Sequence, residues 1–273
     1  MAIIAMTREM ATRGKDVVAG LAEELDLKVV HHQLVEHEIA ARSGLEQKEV
    51  HRSLEGEATL LERWRIGRTR LAHYTSQEIM ELASEGNVLI RGWGATYLLR
   101  NVPHVVCVRI CAPMDFRIDT MMERLGVPDR KSARREIERS DAAHNGTMQR
   151  LFGIDWSDPS LYALVLNTAR IPASDCVHHI AEVARSDAFR ETSQTRSVLA
   201  DELIRTRILS ALDRHFGGRD GALGIEVSVD GGHAVVRGTI MAHPLAIDEA
   251  EGVVRAVEGV KSARNELLMA SLE

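Results

Sequence analysis

Residues 2–25 read AIIAMTREMATRGKDVVAGLAEEL, and the fold follows from this stretch. A short apolar run leads into a polar loop that ends in Gly14-Lys15, and apolar residues at helical spacing follow. In a phosphate-binding loop of the type GxxxxGK[ST], backbone N–H groups and a helix N-terminus hold phosphates, and the lysine reaches the outer ones. Here Glu9 replaces the first glycine and Asp16 replaces the hydroxyl residue. This stretch alone is therefore compatible with a phosphate site and with an ordinary loop, and the rest of the sequence is needed to distinguish them.

The composition is that of a globular protein with room for two domains. The 273 residues are 45% hydrophobic and carry a net charge of −6, which favours buried cores and argues against a general nucleic-acid-binding surface. We find no secretory signal pattern and no apolar run near the roughly 20 residues that span a bilayer. Three cysteines fit a reducing compartment better than a disulfide framework. We expect a cytoplasmic protein whose partners are small molecules or proteins, and not nucleic acid.

Twelve histidines raise the question of a metal site. Their spacing matches neither HExxH nor the other common ligand motifs. We therefore expect no metal that is bound through histidine.

Residues 1–185 alternate short apolar segments with helical patterns, which predicts a parallel sheet with helices on both faces. The predicted strands are Ala2–Met6, Val88–Ile90, Val105–Ile110 and Leu164–Asn167. Ligands of such sheets bind at the carboxyl ends of the strands. The Gly14-Lys15 loop and the loop around Gly92 and Gly94 should therefore meet at one cleft.

A predicted helical segment over residues 54–84 carries an apolar stripe. Its members recur every three or four residues and are Leu60, Trp64, Gly67, Leu71, Tyr74, Glu78 and Leu82. Such a stripe most often packs into a core, but its length and the arginines on its other faces also suit a homodimer interface. Both interpretations stay open on the sequence.

A strongly basic segment follows the third predicted strand. Its six cations lie between residues 124 and 139, among acidic residues, and are Arg124, Arg130, Lys131, Arg134, Arg135 and Arg139. A solvated helix pair held by charge pairs would explain the pattern. A mobile lid whose arginines neutralise a transferring phosphoryl group would explain it as well.

The polar segment 186–198 predicts a linker between a domain over 1–185 and a small domain over 199–273. The small domain begins with a helical pattern, continues with two alternating strands around Asp230-Gly231-Gly232, and ends with a helix and a strand. The predicted order is α-β-β-α-β.

This C-terminal plan resembles the BON domain, a small bacterial module. The resemblance rests on residues 235–240, VVRGTI, similar to the family's V-x-L-x-G-x-V strand, and on residues 257–260, VEGV, similar to its V-x-G-V turn. BON domains are associated with binding phospholipid surfaces or other macromolecules and carry no known catalytic residues. The resemblance implies tethering or regulation through a phospholipid or protein partner.

The N-terminal part resembles the cytidylate kinase-like family, P-loop proteins related to nucleoside monophosphate kinases. The family's S-R-E-x-G-S-G-G-[RK] is matched by residues 7–15, TREMATRGK, with Ala11 and Arg13 in place of two glycines. Its I-x-G-R-G-A-x-Y-[VL]-L is matched by residues 90–99, IRGWGATYLL, with Trp93 in the position of the arginine.

The resemblance implies a kinase-like fold, ATP as phosphoryl donor, Mg²⁺, and phosphorylation of a nucleoside monophosphate, with CMP or dCMP preferred. On the matched positions, the nucleotide site would contain Arg8, Arg13, Gly14, Lys15 and Asp16. The acceptor site would contain Arg91, Gly92, Trp93, Gly94 and Asp141, with Arg8 as a further contact to the acceptor phosphate. The catalytic cations would be Lys15, Arg124, Arg130, Arg134, Arg135 and Arg139.

Departures from the family pattern support an alternative to an active kinase. Trp93 lacks the charge of an arginine, and the lost glycines restrict the positive φ angles by which such a loop turns. Asp141 is followed at the family's D-x-x-R spacing by His144, which is charged only in part near neutral pH. The alternative is a catalytically weak or inactive nucleotide-binding regulatory protein that its BON domain recruits to a membrane or partner.

Overall fold

A parallel sheet forms the centre of the N-terminal part. The computed structural model describes residues 1–30, 32–56, 58, 67–126, 129–216, 222–240 and 245–269. The strands of this sheet are β1 (Ile3–Arg8), β2 (Lys28–Val30), β3 (Val88–Arg91), β4 (Val105–Cys111) and β5 (Leu164–Asn167). They lie in the order β2-β3-β1-β4-β5 and pair in parallel throughout. The predicted fold class is confirmed, and β2 escaped prediction because only three residues form it.

Helices cover both faces of this sheet. They are α1 (Gly14–Leu25), α2 (His32–Ser43), α3 (Gln47–Leu54), α4 (Arg68–Ser84), α5 (Ala95–Leu98), α6 (Met114–Leu125), α7 (Arg130–Phe152) and α8 (Ala173–Arg185). Strand β1 serves both cores, because Ile3 and Ala5 pack with α2 and α4 while Ile4 and Met6 pack with α1 and α8. In the described ranges, no helix is long and apolar enough to cross a membrane.

The C-terminal part has the predicted order of elements. These are α9 (Ser193–Phe216), β6 (Ala222–Asp230), β7 (His233–Ile240), α10 (Leu245–Arg255) and β8 (Ser262–Met269). Strand β7 is central, antiparallel to β6 and parallel to β8. The helices α9 and α10 supply the apolar side chains that cover one face of this sheet.

The segment predicted as a linker is partly regular. It contains a 3₁₀ turn over Asp187–Phe189 and the first residues of α9. The Thr195 backbone N–H donates to the Thr192 hydroxyl at 3.1 Å, and the Thr192 N–H donates to the Thr195 hydroxyl at 2.9 Å. This reciprocal cap satisfies free N–H groups of the first turn. It explains why a polar stretch begins a helix, while the domain boundary itself stays a prediction.

The helix α9 packs against α4 and thereby joins the two parts of the chain. Leu199 is buried in the same core as α4, and Leu203 packs against that core. The His73 ring of α4 also contacts the Asp213 carboxylate of α9 through Nδ1.

The stripe predicted over residues 54–84 lies partly in α4. Leu60 and Trp64 fall outside the described residues. The members within α4, Leu71, Tyr74, Glu78 and Leu82, are buried inside one chain. The core interpretation therefore holds for this part of the stripe, and a homodimer through it would have to use other residues.

Candidate functional site

A cavity of about 680 Å³ lies at the carboxyl ends of β1 and β3. The loops after these two strands form its wall together with α3, α6 and α7. The residues proposed from sequence that line it are Arg8, Arg13, Gly14, Lys15, Arg91, Gly92, Trp93, Arg124 and Asp141. The structure thus brings the two loops together in one cleft.

The loop after β1 keeps left-handed turns at the two positions where Ala11 and Arg13 replace glycines of the family pattern. Ala11 has a φ of 61° and Arg13 a φ of 55°. The Thr12 hydroxyl donates to the Glu9 carbonyl at 2.8 Å, and the Thr168 hydroxyl donates to the Thr12 carbonyl at 2.7 Å. Each left-handed non-glycine residue costs about 1 kcal/mol. The surrounding hydrogen bonds therefore hold the loop in a strained conformation.

Lys15 lies in the first turn of α1 with its side chain exposed at the cavity. The unpaired N–H groups and the dipole of a helix N-terminus attract anions. A Cβ at Gly14 would come within 2.7 Å of Arg8 Cδ, so this glycine lets the Arg8 side chain cross the loop.

The loop after β3 has three consecutive left-handed residues. Gly92, Trp93 and Gly94 have φ angles of 87°, 48° and 73°. Trp93 is only 8% exposed and packs in the core, and a Cβ at Gly94 would come within 2.6 Å of the Phe152 ring. The position of the family's arginine therefore holds a core aromatic, and Arg91 is the guanidinium that this strand supplies to the cavity.

Arg8 and Arg91 end neighbouring strands and both line the cavity. Burial and the neighbouring Arg91 charge lower the pKa of Arg8 to about 10, and the Glu55 carboxylate opposes that shift. The buried Nε of Arg8 has no hydrogen-bond partner. Within the described ranges, Arg8, Arg91 and Lys15 form no ion pair with any residue. An anionic ligand would supply the missing partner.

Two further arginines, missed as site residues from the sequence, hold the loop after β1 but do not themselves line the cavity. Arg109 donates to the Glu9 carboxylate at 2.7 Å, and Arg117 binds the Asp141 carboxylate with two bonds of 2.7 and 2.8 Å. Arg117 also donates to the Met10 carbonyl at 2.8 Å. Both arginines are buried, and Arg117 thereby ties the first loop to α7 while Arg109 ties it to β4. The sequence does contain a sign of this role for Arg109, because a charged residue inside an apolar strand needs a buried partner.

His144 differs from its sequence-based expectation. Its ring lies 4.3 Å from the Trp156 ring, in an edge-on arrangement. Burial, reinforced by the Arg109 charge, lowers the pKa of His144 to about 4 although the Asp141 carboxylate opposes the shift. His144 is therefore neutral near pH 7, rather than charged in part.

Most arginines of the basic segment lie away from the cavity. Arg124 lines it and donates to both Asp16 carboxylate oxygens, at 2.8 and 2.9 Å. The exposed contacts of the others are Arg130 with Asp115 and Asp119, Arg134 with Asp115 and Glu138, Arg135 with Ser132, and Arg139 with Glu136. In this arrangement Arg130, Arg134 and Arg139 form charge pairs on a solvated helix pair, and Arg135 donates to the Ser132 hydroxyl. The role of these four arginines as a lid stays a prediction.

The carboxylates do not suit a protein-held Mg²⁺. Asp16, the candidate ligand, is held by Arg124 and does not line the cavity. Glu9 and Asp141 are likewise held by arginines. No group of three or more His, Cys, Asp or Glu side chains that could bind a metal occurs in the described part of the chain.

Comparisons with known proteins agree with this geometry. Residues 3–170 match the cytidylate kinase-like family, and residues 200–270 match the BON domain. A cytidylate kinase of Aeropyrum pernix is 28% identical over 165 residues, which cover 60% of this chain and 88% of that protein. A cytidylate kinase of Sulfurisphaera tokodaii is 29% identical over 157 residues, which cover 57% and 80%.

The fold is also that of a solved structure. The crystal structure of an uncharacterized protein from Eubacterium ventriosum matches with a TM-score of 0.52 at 20% identity, over 67% of this chain and 97% of that one. The strand order, the loop at Gly14-Lys15 and the match over residues 3–170 lead to the same conclusion. The chain belongs to the cytidylate kinase-like family and carries a BON domain after its kinase-like domain.

Proposed function

We propose that this protein transfers the γ-phosphoryl group of ATP to a nucleoside monophosphate, with CMP or dCMP as the preferred acceptor. The observation that carries the proposal is the set of three cations, Arg8, Lys15 and Arg91, that line the cavity without an ion pair in the described ranges. Two bound nucleotides would bring the phosphates that these cations lack. The curated relatives, which are named cytidylate kinases, support the choice of acceptor.

The donor would bind at the loop after β1. Lys15 and the N–H groups at the start of α1 would hold the β- and γ-phosphates, with Arg13 at the exposed edge. Arg124, which also lines the cavity, would neutralise charge on the transferring group once released from Asp16.

The acceptor phosphate would bind between Arg8 and Arg91. These residues end neighbouring strands, and a dianion between them would offset both their mutual repulsion and the burial of Arg8. Gly92, Trp93 and Gly94 would shape the wall beside it, since the backbone there is held in a conformation that few side chains allow.

The chemistry requires positioning more than covalent participation. An oxygen of the acceptor phosphate attacks the γ-phosphorus, the bond from that phosphorus to the β–γ bridging oxygen breaks, and ADP leaves. Mg²⁺ would neutralise phosphate charge while bound to the phosphates and water, since the nearby carboxylates are already engaged.

A nucleotide-binding regulator is the second candidate. His144 is neutral and Trp93 is a core residue, so two positions where the family pattern carries arginine supply no charge. Loss of such a cation lowers phosphoryl-transfer rates by orders of magnitude without preventing binding. The strained loops would then serve recognition alone.

An ADP-release assay tests both candidates. We expect release that depends on CMP or dCMP, exceeds that with UMP, AMP or GMP, and falls about 100-fold or more in Lys15→Ala. Arg190→Ala is the control, because Arg190 is exposed and pairs with Asp187 outside the cavity. No acceptor-dependent release above the Lys15→Ala level would contradict the enzyme. A rise in Tm that grows with nucleotide concentration would then support the regulator.

We propose further that the BON domain binds a phospholipid surface or a protein partner. Deletion of residues 199–273 is a poor test, because it removes Leu199 and Leu203 from the core around α4. The intact chain should instead be sedimented with neutral and with anionic phospholipid vesicles. Absence of pelleting with either would remove the phospholipid version.

A further inference from the structure

A charge network runs from the kinase-like domain into the BON domain. In α4, Glu81 accepts a hydrogen bond of 2.5 Å from Arg42 of α2 and one of 3.2 Å from Arg207 of α9. Arg42 also lies 3.0 Å from the Glu78 carboxylate. Arg207 donates at 2.9 Å to Glu258, in the turn before β8. One carboxylate, that of Glu81, therefore binds an arginine from each domain.

The central members of this network are shielded from water. The side chains of Arg42, Glu81 and Arg207 are 18%, 25% and 26% exposed. Exposed ion pairs contribute little because solvent and salt screen them, whereas pairs shielded in this way hold a defined geometry. The network can therefore fix the position of one helix relative to another.

The helix that Arg42 anchors supports one wall of the cavity. Val35 and Ile39 of α2 pack in the core with α4. The α3 helix is tied to α2 by a bond from the Gln47 side chain to the Gln33 carbonyl at 3.1 Å. At the end of α3, Leu54 and Glu55 line the cavity.

This wall lies on the acceptor side of the cavity. The Glu55 side chain lines the cavity, and its charge acts on Arg8, one of the two arginines proposed to hold the acceptor phosphate. Lys15, proposed for the donor, lies in the first turn of α1, after the loop that follows Arg8. A shift of α2 and α3 would therefore change the acceptor site before it changed the donor site.

We infer that Arg207 of the BON domain is a positioning residue for the acceptor site, because it holds Glu81 and thereby the Arg42 contact that sets α2 and α3. The identity of the acceptor rests on the proposed function, while the mechanical coupling does not. The first helix of the BON domain is thus part of the scaffold of the kinase-like site.

The test compares Arg207→Met with Arg205→Met in the full chain. Arg205 is two residues away in α9 and pairs at 2.8 Å only with Glu202 of its own helix among the described residues. In Arg207→Met we expect faster hydrogen exchange over residues 32–54 and a KM for CMP raised about fivefold. The kcat and the KM for ATP should change less than about twofold, and Arg205→Met should change none of these.

Several outcomes separate the inference from the proposed function. Equal exchange over residues 32–54 in the two variants would overturn the coupling. Faster exchange in Arg207→Met, with no acceptor-dependent turnover even in the wild type, would leave the coupling standing and remove the enzyme. Arg207→Lys keeps a cation on Glu81 and should restore most of the KM, which a general loss of stability would not predict. If Arg207→Met fails to fold, Arg207→Lys is the test of the coupling. We then expect a smaller rise in the KM for CMP and a smaller increase in exchange over residues 32–54.

Discussion

The arginines at the contact between α4 and α9 form ion pairs, whereas Arg8 and Arg91 in the cavity form none within the described residues. At the contact, Arg42 and Arg207 each face carboxylates, Glu78, Glu81 and Glu258, within 3.2 Å. In the cavity, burial and the Arg91 charge lower the pKa of Arg8 to about 10, and neither arginine forms an ion pair with a described residue. Removing one partner of a shielded ion pair is strongly destabilising, whereas a partly buried cation without an ion pair lowers stability until an anion binds. The difference supports the cavity as the candidate ligand site, although the phosphate-loop motif keeps only Gly14 of its glycines.

The largest change in the free energy of unfolding should come from removing an arginine of the ion-paired contact between α4 and α9. Arg42→Met would leave Glu78 and Glu81 with less compensation, and we expect the free energy of unfolding to fall by about 3 kcal/mol. Urea unfolding measures it. The control is Arg185→Met, which breaks a pair with Glu24 that is exposed on both sides and should cost less than about 1 kcal/mol. Equal losses in the two variants would contradict a special role for the shielded network.

A second test uses the pH dependence of the same network. Burial raises the pKa of Glu78 from 4.5 to about 7, despite the Arg42 charge. Between these values the folded chain binds more protons than the unfolded one, so the Glu78 contribution to stability falls as pH rises from 4.5 to 7. Glu78→Gln should therefore raise the free energy of unfolding at pH 8 by about 2 kcal/mol and change it little at pH 4.5.

The difference between wild type and Glu78→Gln is the quantity to measure, by urea unfolding at both pH values. His144 contributes with the opposite sign, because its lowered pKa makes stability fall as pH drops from 6.5 to 4. That contribution is the same in both proteins and cancels. A difference that does not depend on pH would show that Glu78 ionises in the usual range.

Removing an arginine of the cavity should change the free energy of unfolding in the opposite direction. Arg8→Met removes a partly buried cation that forms no ion pair with a described residue, so we expect the free energy of unfolding to rise by about 1 kcal/mol while nucleotide binding weakens. Urea unfolding and the CMP-induced rise in Tm measure the two effects. A loss of stability as large as that of Arg42→Met would abolish the distinction between the two regions.

The smallest effect concerns the backbone of the cavity loop. Arg13→Gly should raise the free energy of unfolding by about 0.5 to 1 kcal/mol, because glycine adopts the left-handed conformation of residue 13 without a steric penalty. Ala19→Gly, at an exposed position inside α1, should lower it by about 1 kcal/mol. Thermal unfolding of both variants gives the comparison. A loss of stability in Arg13→Gly would mean that its side chain contributes more than its backbone costs.

The sequence predicted those parts of the fold that rest on local patterns. Leu164–Asn167 is an apolar run between turn residues, and the structure has it with the same ends. The start of α9 was missed, because its first turn is polar and is held by the mutual bonds of Thr192 and Thr195. A T-x-x-T spacing was present but is weaker than the usual capping box.

Residues that line the cavity were predictable where a motif marks them and not where distant partners define their positions. Lys15 follows from the Gly-Lys pair at a helix start, and Arg91 from the glycines beside it. The Arg117 pair with Asp141 depends on how two helices meet, which no local pattern encodes. The apolar stripe of α4 likewise predicted that this helix packs against another element, but it did not identify α9 as that element.

The position of Leu199 has a consequence for synthesis on the ribosome. Domains of a nascent chain usually fold in order, the N-terminal one first. Here the core around α4 includes a residue from beyond the span that matches the kinase family, so that core is incomplete until α9 has left the exit tunnel. A nascent chain that ends near residue 190 would expose the apolar face of α4 to chaperones, and translation of the BON domain would end that exposure.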